Sequence, residues 1–181
     1  MRGRPVAALL GGGVSLLLVA VLAAVVLAAP VAGDGMNPSL RSGDRVLAFG
    51  GTPERLDLVT LRTRGGVTAV RRVVGLPGDE VRITGSQVRV RPAAGEWVAM
   101  TPDGNPGVCC AADGRGGTDA VAVVPPDSFF VLGDNPAMST DSREHGFVPA
   151  SDVTGVVWRR VWPLPEFGGV ASPSLTAVSG P

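Results

Sequence analysis

The chain has 181 residues, which is enough for one domain and a short additional segment. All 16 basic residues are arginine, and 16 acidic residues balance them, so the net charge of zero gives no reason to expect nucleic-acid binding. The 26 glycines and 16 prolines favour many turns between short strands.

The first predicted element is an apolar span over residues 6–32, which contains no charged residue. It is long enough to cross a bilayer as a helix. Two arginines precede it within residues 1–5, and basic residues at this end favour a cytoplasmic N-terminus with the rest of the chain outside. A cleaved secretory signal, with a loose cleavage site at residues 30–32, is the alternative interpretation. Under both interpretations the remainder of the chain is exported.

The rest of the chain is predicted to be an all-β domain over residues 33–167, followed by a flexible tail over residues 168–181. No segment after the apolar span has a helical period, and residues 101–119 are predicted to form a loop. Residues 84–86 contain a glycine between two strands and indicate a hairpin. The predicted strands are residues 45–49, 56–61, 67–74, 81–83, 87–91, 120–124, 129–132 and 153–161.

Two pairs of side chains have more than one interpretation. Cys109 and Cys110 are adjacent in the predicted loop, and exported cysteines tend to be oxidised. A strained vicinal disulfide, a bond to another chain and a loop pair without a catalytic role all remain open.

Trp158 and Trp162 lie four residues apart in a predicted strand, so we expect them on one face. We expect one in the core and the other at a membrane interface, where tryptophan is favoured.

Three motifs follow the apolar span in a fixed order. The first is Gly-Asp-Gly-Met-Asn-Pro-Ser-Leu at residues 33–40, followed by Gly-Asp. The second is Val-Arg-Arg-Val-Val-Gly-Leu-Pro-Gly-Asp-Glu-Val at residues 70–81. The third begins with Phe-Val-Leu-Gly-Asp-Asn at residues 130–135 and continues with Ser-Thr-Asp-Ser-Arg and Gly-Phe-Val-Pro up to residue 149. Together the three motifs resemble bacterial signal peptidase I over most of residues 6–165.

The resemblance implies a membrane-anchored serine endopeptidase that removes signal peptides from exported proteins on the outer face of the membrane. It implies a β pseudo-barrel of mixed strands behind one transmembrane helix, without a metal or another cofactor. The substrate is expected to bind as an extended strand, with small side chains in shallow pockets. The family mechanism uses a serine nucleophile and a neutral lysine as general base.

The family's chemical groups correspond to four positions in this chain. The nucleophile position is Gly35, which has no side chain, and the base position is Arg71, which cannot lose its proton at a working pH. A serine that supports the oxyanion corresponds to Gly33, and a serine that orients the base corresponds to Ser139. The nucleophile and the base are therefore both absent, and no ordinary Ser/Lys turnover is expected.

The residues that support the site in the family are present. Residues 136–138 depart from the Arg-Asp-Asn common at this point, which removes those polar groups from the turn. The supporting positions implied by the resemblance are Met36, Pro38, Arg72, Asp134, Asp141 and Arg143.

The leading hypothesis is a single-pass membrane protein that binds signal peptides or pre-proteins, or modulates an active signal peptidase. A second hypothesis is an active endopeptidase with a displaced apparatus, for which Ser39 and His145 are the candidates. A third is a structural partner that is joined to another chain through Cys109 or Cys110. A metal site is not expected in a chain with one histidine.

Overall fold

The computed structural model describes residues 19–23, 26–63, 65–84, 87–93, 95–100, 121–171 and 176–177. After residue 27 the described chain forms twelve strands, one short helix, α1 (Ser142–His145), and single 3-10 turns at Pro136–Met138, Ala150–Asp152 and Leu164–Glu166. The strands are β1 (Ala29–Pro30), β2 (Arg45–Phe49), β3 (Leu58–Arg62), β4 (Thr68–Gly75), β5 (Glu80–Thr84), β6 (Gln87–Arg91), β7 (Val98–Ala99), β8 (Val121–Val123), β9 (Ser128–Leu132), β10 (Val148–Pro149), β11 (Val153–Trp162) and β12 (Thr176–Ala177).

The predicted apolar span is only partly described. Residues 19–23 and 26–27 are helical, whereas residues 6–18 and 24–25 lie outside the described residues. No helix in the described ranges is long and apolar enough to cross a bilayer. The predicted boundary at residue 32 needs correction, because Ala29–Pro30 is a strand that pairs with β2. Proline disfavours helix at the residue before it, and the next residue, Val31, donates its N–H to the Asp44 carbonyl at 2.8 Å.

The strands form two sheets, and the all-β prediction is confirmed. The larger sheet has the order β1-β2-β11-β3-β4-β9-β10, and the smaller has the order β12-β7-β6-β5-β8. Every strand pair in the described residues is antiparallel, so the expectation of mixed strands is wrong. Short connections explain the pairs β3–β4, β5–β6 and β6–β7, since a parallel pair needs a long crossover.

Three hydrophobic clusters hold the sheets. One joins the smaller sheet to β4 and β9 through Val74, Phe130 and Leu132. A second packs the loop after β1 onto β2, β3 and β4, with Met36 and Leu40 at its centre. The third lies on the opposite face of the larger sheet. The segment that carries the first motif is therefore fixed against β4, which carries the second.

β4 has a partial free edge. Its residues Thr68 to Arg72 pair with β3, whereas only Arg72 to Gly75 pair with β9. On the β9 side, residues 68–71 have no strand partner within the described chain. Unpaired backbone groups of this kind can accept an added strand.

Most of the predicted strands are observed with shifts of at most two residues at their ends, but the tail prediction needs correction. Gly168 pairs with Arg160, the Ala171 carbonyl accepts a hydrogen bond from Arg72, and β12 pairs with β7. The described parts of residues 168–181 are thus attached to the domain, because their backbone groups find partners there. Residues 101–119, with Cys109 and Cys110, lie outside the described residues.

Candidate functional site

Gly35 lies in a turn after β1, directly against the third motif. It is buried, and its carbonyl accepts a hydrogen bond from the Asn135 N–H at 2.9 Å. A Cβ atom at this position would lie 3.2 Å from the Met138 carbonyl and 3.4 Å from Ser139 Cβ. The fold therefore brings Gly35, for which the resemblance implies the nucleophile position, beside Ser139, for which it implies the base orienter.

Gly133 makes this close approach possible. A Cβ atom on Gly133 would overlap the Ser139 side chain and would lie 2.5 Å from the Gly35 carbonyl oxygen. Because the Gly35 carbonyl oxygen belongs to the backbone, it cannot move away without a shift of the main chain. A residue with a side chain at position 133 would consequently push the first and third motifs apart.

The Arg71 side chain bonds to backbone carbonyls and not to the Ser139 hydroxyl. Its Nε and one terminal nitrogen donate to the Thr140 carbonyl at 3.2 and 2.8 Å, and the other terminal nitrogen donates to the Val70 carbonyl at 2.6 Å. Ser139 Oγ is buried and has no hydrogen-bond partner among the described residues. Arg71 and Ser139 are thus not joined by a hydrogen bond, although Ser139 directly precedes Thr140, whose carbonyl accepts from Arg71.

Burial lowers the pKa of the Arg71 guanidinium, Asp141 opposes this effect and Arg143 adds to it. A guanidinium remains protonated at any working pH despite such a shift. The site therefore holds a permanent cation where the family mechanism needs a base that can be neutral.

The unpaired hydroxyl of Ser139 leads to a first prediction. A buried polar group without a partner costs about 1–3 kcal/mol, so Ser139→Ala is expected to leave the free energy of unfolding unchanged or to raise it by about 1 kcal/mol. Urea unfolding of the two proteins measures the difference. A loss of stability beyond about 1 kcal/mol would mean that the hydroxyl has a partner that stabilises the fold.

Arg72 and Asp134 form a buried bridge between the second and third motifs. The Arg72 side chain is 2% exposed, and it holds both Asp134 oxygens at 2.8 and 2.6 Å. Its remaining terminal nitrogen donates to the Leu56 carbonyl at 2.8 Å. Alternation along a strand places Arg71 and Arg72 on opposite faces of β4, so Arg72 braces the sheet on one face while Arg71 projects from the other.

Asp141 and Arg143 form a second buried pair at the start of α1. Arg143 donates from Nε and one terminal nitrogen to the two Asp141 oxygens at 2.9 and 2.7 Å. Asp141 also accepts the backbone N–H of Gly133 at 2.9 Å and that of Arg143 at 3.1 Å. The carboxylate therefore ties the glycine that contacts Gly35 to the helix.

The other positions implied by the resemblance differ in their surroundings. Met36 is 1% exposed within the core beneath the first motif, whereas Pro38 is on the surface of the same turn. Gly33 is exposed, and its φ of +71° favours glycine, so a serine there would be strained in this conformation. The backbone at position 33, for which the resemblance implies an oxyanion role, is thus suited to the glycine that the sequence has.

Ser39 and His145 do not form a displaced catalytic pair. The Arg72 guanidinium approaches Ser39 Oγ at 3.5 Å, on the face of β4 opposite to Arg71. His145 is exposed at the end of α1 and lines a pocket together with Arg71. The two side chains accordingly belong to different faces of the sheet. In the described ranges, no group of three His, Cys, Asp or Glu side chains is arranged to hold a metal ion.

This pocket is a feature that the sequence analysis missed. It has a volume of about 470 Å³ and lies on the face of the larger sheet that carries Ala69 and Arg71. The period-2 alternation of β3 and β4 was the available signal, because it places Leu61, Ala69 and Arg71 on related positions of neighbouring strands. The apolar lining residues are Leu61, Ala69, Val131, Phe147, Val148 and Pro149.

The two tryptophans of β11 are both at the surface. Trp158 is 58% exposed and Trp162 is 45% exposed, so the expectation that one lies in the core is wrong. Phe49 packs against Trp158 with 6.2 Å between ring centroids, and the Arg159 guanidinium lies 4.7 Å from the same ring. The buried positions of β11 are taken by Gly155 and Val161. The register of β11 against β2 shifts twice.

Comparisons with known proteins agree with the three motifs. The family model described as "Signal peptidase, peptidase S26" matches residues 7–162. A signal peptidase I of Bacillus caldolyticus is 32% identical over 149 residues, which cover 76% of this chain and 80% of the relative. A signal peptidase I of Leptolyngbya laminosa is 28% identical over 156 residues, which cover 77% of this chain and 70% of the relative.

A solved structure also matches. The crystal structure of a signal peptidase I from Enterococcus faecalis V583 has 25% sequence identity and a TM-score of 0.44, and the match covers 60% of this chain and 98% of that one. The match of the family model to residues 7–162, together with the identity to the Bacillus caldolyticus protein, establishes the family. The chain belongs to the signal peptidase I family, within peptidase S26.

Proposed function

We propose that this protein binds signal peptides without cleaving them by the Ser/Lys mechanism, and that it thereby modulates an active signal peptidase. The observation that carries the proposal is the pair Gly35 and Arg71 at the nucleophile and base positions. A glycine supplies no nucleophile, and loss of the nucleophile lowers the kcat of the serine protease subtilisin by about a million-fold.

The framework that surrounds these two positions supports retained peptide binding. The pairs Arg72–Asp134 and Asp141–Arg143 hold the motifs together, and residues 68–71 of β4 have a free edge beside them. A peptide in extended conformation would add to this edge through backbone hydrogen bonds, which need no nucleophile. Peptides held in this way are withdrawn from a peptidase in the same membrane, so their processing slows.

A location in the cell membrane is part of the proposal. The apolar span that begins at residue 6 and ends before β1 serves as a single-pass anchor with its N-terminus inside, and the domain lies on the extracytoplasmic face. The exposed aromatic side chains of Phe49, Trp158, Trp162 and Phe167 support contact with lipid, because aromatic rings are favoured at the membrane interface.

The test uses the purified full chain in detergent micelles and a fluorogenic signal-peptide substrate with alanines at the two specificity positions. We expect cleavage at the rate of the protein-free control, together with saturable binding measured by fluorescence anisotropy. Cleavage above background that copurifies with the chain and is lost in Ser39→Ala or His145→Ala would contradict the proposal and support a displaced apparatus. Absence of peptide binding would contradict it as well, in favour of a structural partner.

A further inference from the structure

We propose that the pocket beside Arg71 binds a peptide carboxylate, and that this carboxylate is the C-terminal group of a signal peptide that has already been cleaved. The inference rests on the proposed function, because it specifies which form of signal peptide the protein binds. Three features of the structure lead to it: an arginine without a counter-ion, a pocket next to it, and a free strand edge that ends there.

Arg71 has no carboxylate partner within the described chain. Its three hydrogen bonds all go to backbone carbonyls, which leaves two of its five N–H groups without an acceptor among the described residues. Asp141 lies nearby, but both of its oxygens are engaged by Arg143. By contrast, four other arginines with buried or half-buried side chains each hold a carboxylate, in the pairs Arg55–Asp79, Arg72–Asp134, Arg143–Asp141 and Arg160–Asp44.

An uncompensated cation in a partly apolar site favours an anionic ligand. Burial already lowers the pKa of Arg71, which means that desolvation of the charged form is not fully offset by its neighbours. A planar guanidinium matches a carboxylate in bidentate geometry and is weakly hydrated, so it suits such a site better than lysine does. An incoming carboxylate would supply the missing counter-charge.

The pocket has the size and charge for such a ligand. Its volume of about 470 Å³ lies within the range of small-molecule sites, and its walls are apolar around the guanidinium. The charged groups at the pocket besides Arg71 are Arg62 and Asp152, with His145 as a third titratable group and Asp141 neutralised by Arg143. With Asp141 paired to Arg143, the two lining arginines, Arg62 and Arg71, outnumber the one remaining carboxylate, Asp152.

The free edge of β4 determines which part of a peptide reaches the pocket. The edge is open over residues 68–71 and closes at Arg72, where the pairing with β9 begins. The Thr140 carbonyl, held by Arg71, lies across the same end. A strand added along the edge in the same direction as β4 thus reaches the guanidinium with its C-terminal end, at the point where it must stop. A cleaved peptide ends there with a carboxylate, whereas an uncut pre-protein has a neutral amide and further chain at that point.

The experiment compares four peptides of one sequence for binding to the full chain in detergent micelles. They are a signal peptide ending in Ala-Gln-Ala with a free carboxylate, its C-terminal amide, a form extended into a mature sequence, and an amide whose last residue is aspartate. We expect the free carboxylate to lower Kd by about tenfold or more relative to the amide and to the extended peptide. The aspartyl amide is expected to bind no more tightly than the alanyl amide.

Variants then assign the preference to the guanidinium. Arg71→Gln is expected to raise Kd for the free acid to the value for the amide, without changing Kd for the amide itself. The matched control, Arg91→Gln, removes one positive charge on the smaller sheet, where the arginine pairs with Glu80, and is expected to keep the preference. Because the peptide comparison is made on the wild type, the inference stays testable even where Arg71→Gln fails to fold.

Three results would overturn the inference in distinguishable ways. Equal affinity for the acid and the amide would refute the carboxylate site and leave signal-peptide binding intact. Equal affinity for the acid and the aspartyl amide would refute the assignment to a cleaved C-terminus. Failure of all four peptides to bind would refute the proposed function itself.

Discussion

The double substitution Gly35→Ser with Arg71→Lys is expected to give a protein that cleaves a signal-peptide substrate by the Ser/Lys mechanism, which we propose the wild type does not use. A serine protease without its nucleophile retains about a millionth of its activity, so restoring even a small part of the mechanism gives a rate at least about a hundredfold above the wild type. The change supplies a hydroxyl at the buried turn and a base that can lose its proton.

The surroundings of both positions favour this result. The introduced side chain at position 35 would start 3.4 Å from Ser139 Cβ, close to a hydroxyl that has no partner among the described residues. The contact of 3.2 Å with the Met138 carbonyl requires a shift of a few tenths of an ångström. Desolvation at position 71 already disfavours a charged group, and the same effect lowers the pKa of a lysine toward the range in which it acts as a base.

The measurement is the initial rate of cleavage of a peptide with an Ala-x-Ala site, with the product identified by mass. Each single substitution is expected to stay at background, because a serine beside an arginine has no base and a lysine beside a glycine has no nucleophile. Adding Ser139→Ala to the double variant is expected to reduce the rate, since the hydroxyl would then orient the lysine. A double variant that folds, binds the peptide and cleaves nothing would mean that the chemistry was lost through the geometry of the site as well.

The sequence predicted the larger part of the sheet architecture. β2 and β6 were predicted with the bounds that they have, because β2 is a largely apolar run and β6 alternates apolar with polar residues. The strands β1, β7, β10 and β12 were missed, and each has only two residues, which is too short for a period to be visible. β12 also pairs with β7, which is distant in the chain, so this pairing could not be derived from a local pattern.

In the candidate site, too, some features follow from the local sequence and others depend on how distant segments pack. The opposite roles of Arg71 and Arg72 follow from the alternation of a strand, and the resemblance located Gly35, Asp134 and Asp141. The alternation of β3 and β4 indicates only one wall of the pocket, and the pocket as a whole could not be predicted because its other walls come from β9, β10 and the region of α1. Likewise, the direction of the Arg71 side chain toward the Thr140 carbonyl depends on packing that no single segment encodes.

The Asp141→Asn substitution is expected to have the largest effect on stability. It leaves the Arg143 guanidinium, which is 6% exposed, without its counter-ion in a buried site. Removing one partner of a buried ion pair costs about 3–5 kcal/mol, because the remaining charge stays desolvated. The substitution also weakens the hydrogen bond from the Gly133 N–H, on which the contact between the first and third motifs depends.

Urea unfolding of the wild type and of a matched carboxylate-to-amide variant tests this expectation. The control is Glu80→Gln, in which Glu80 is 30% exposed and its partner Arg91 is 44% exposed. Because this ion pair is solvated, the control is expected to lose no more than about 0.5 kcal/mol in the free energy of unfolding. The two substitutions alter the same chemical group in ion pairs of similar length, and they differ chiefly in burial. If both variants lost the same free energy of unfolding, burial of the Asp141–Arg143 pair would not be what connects the site to the fold.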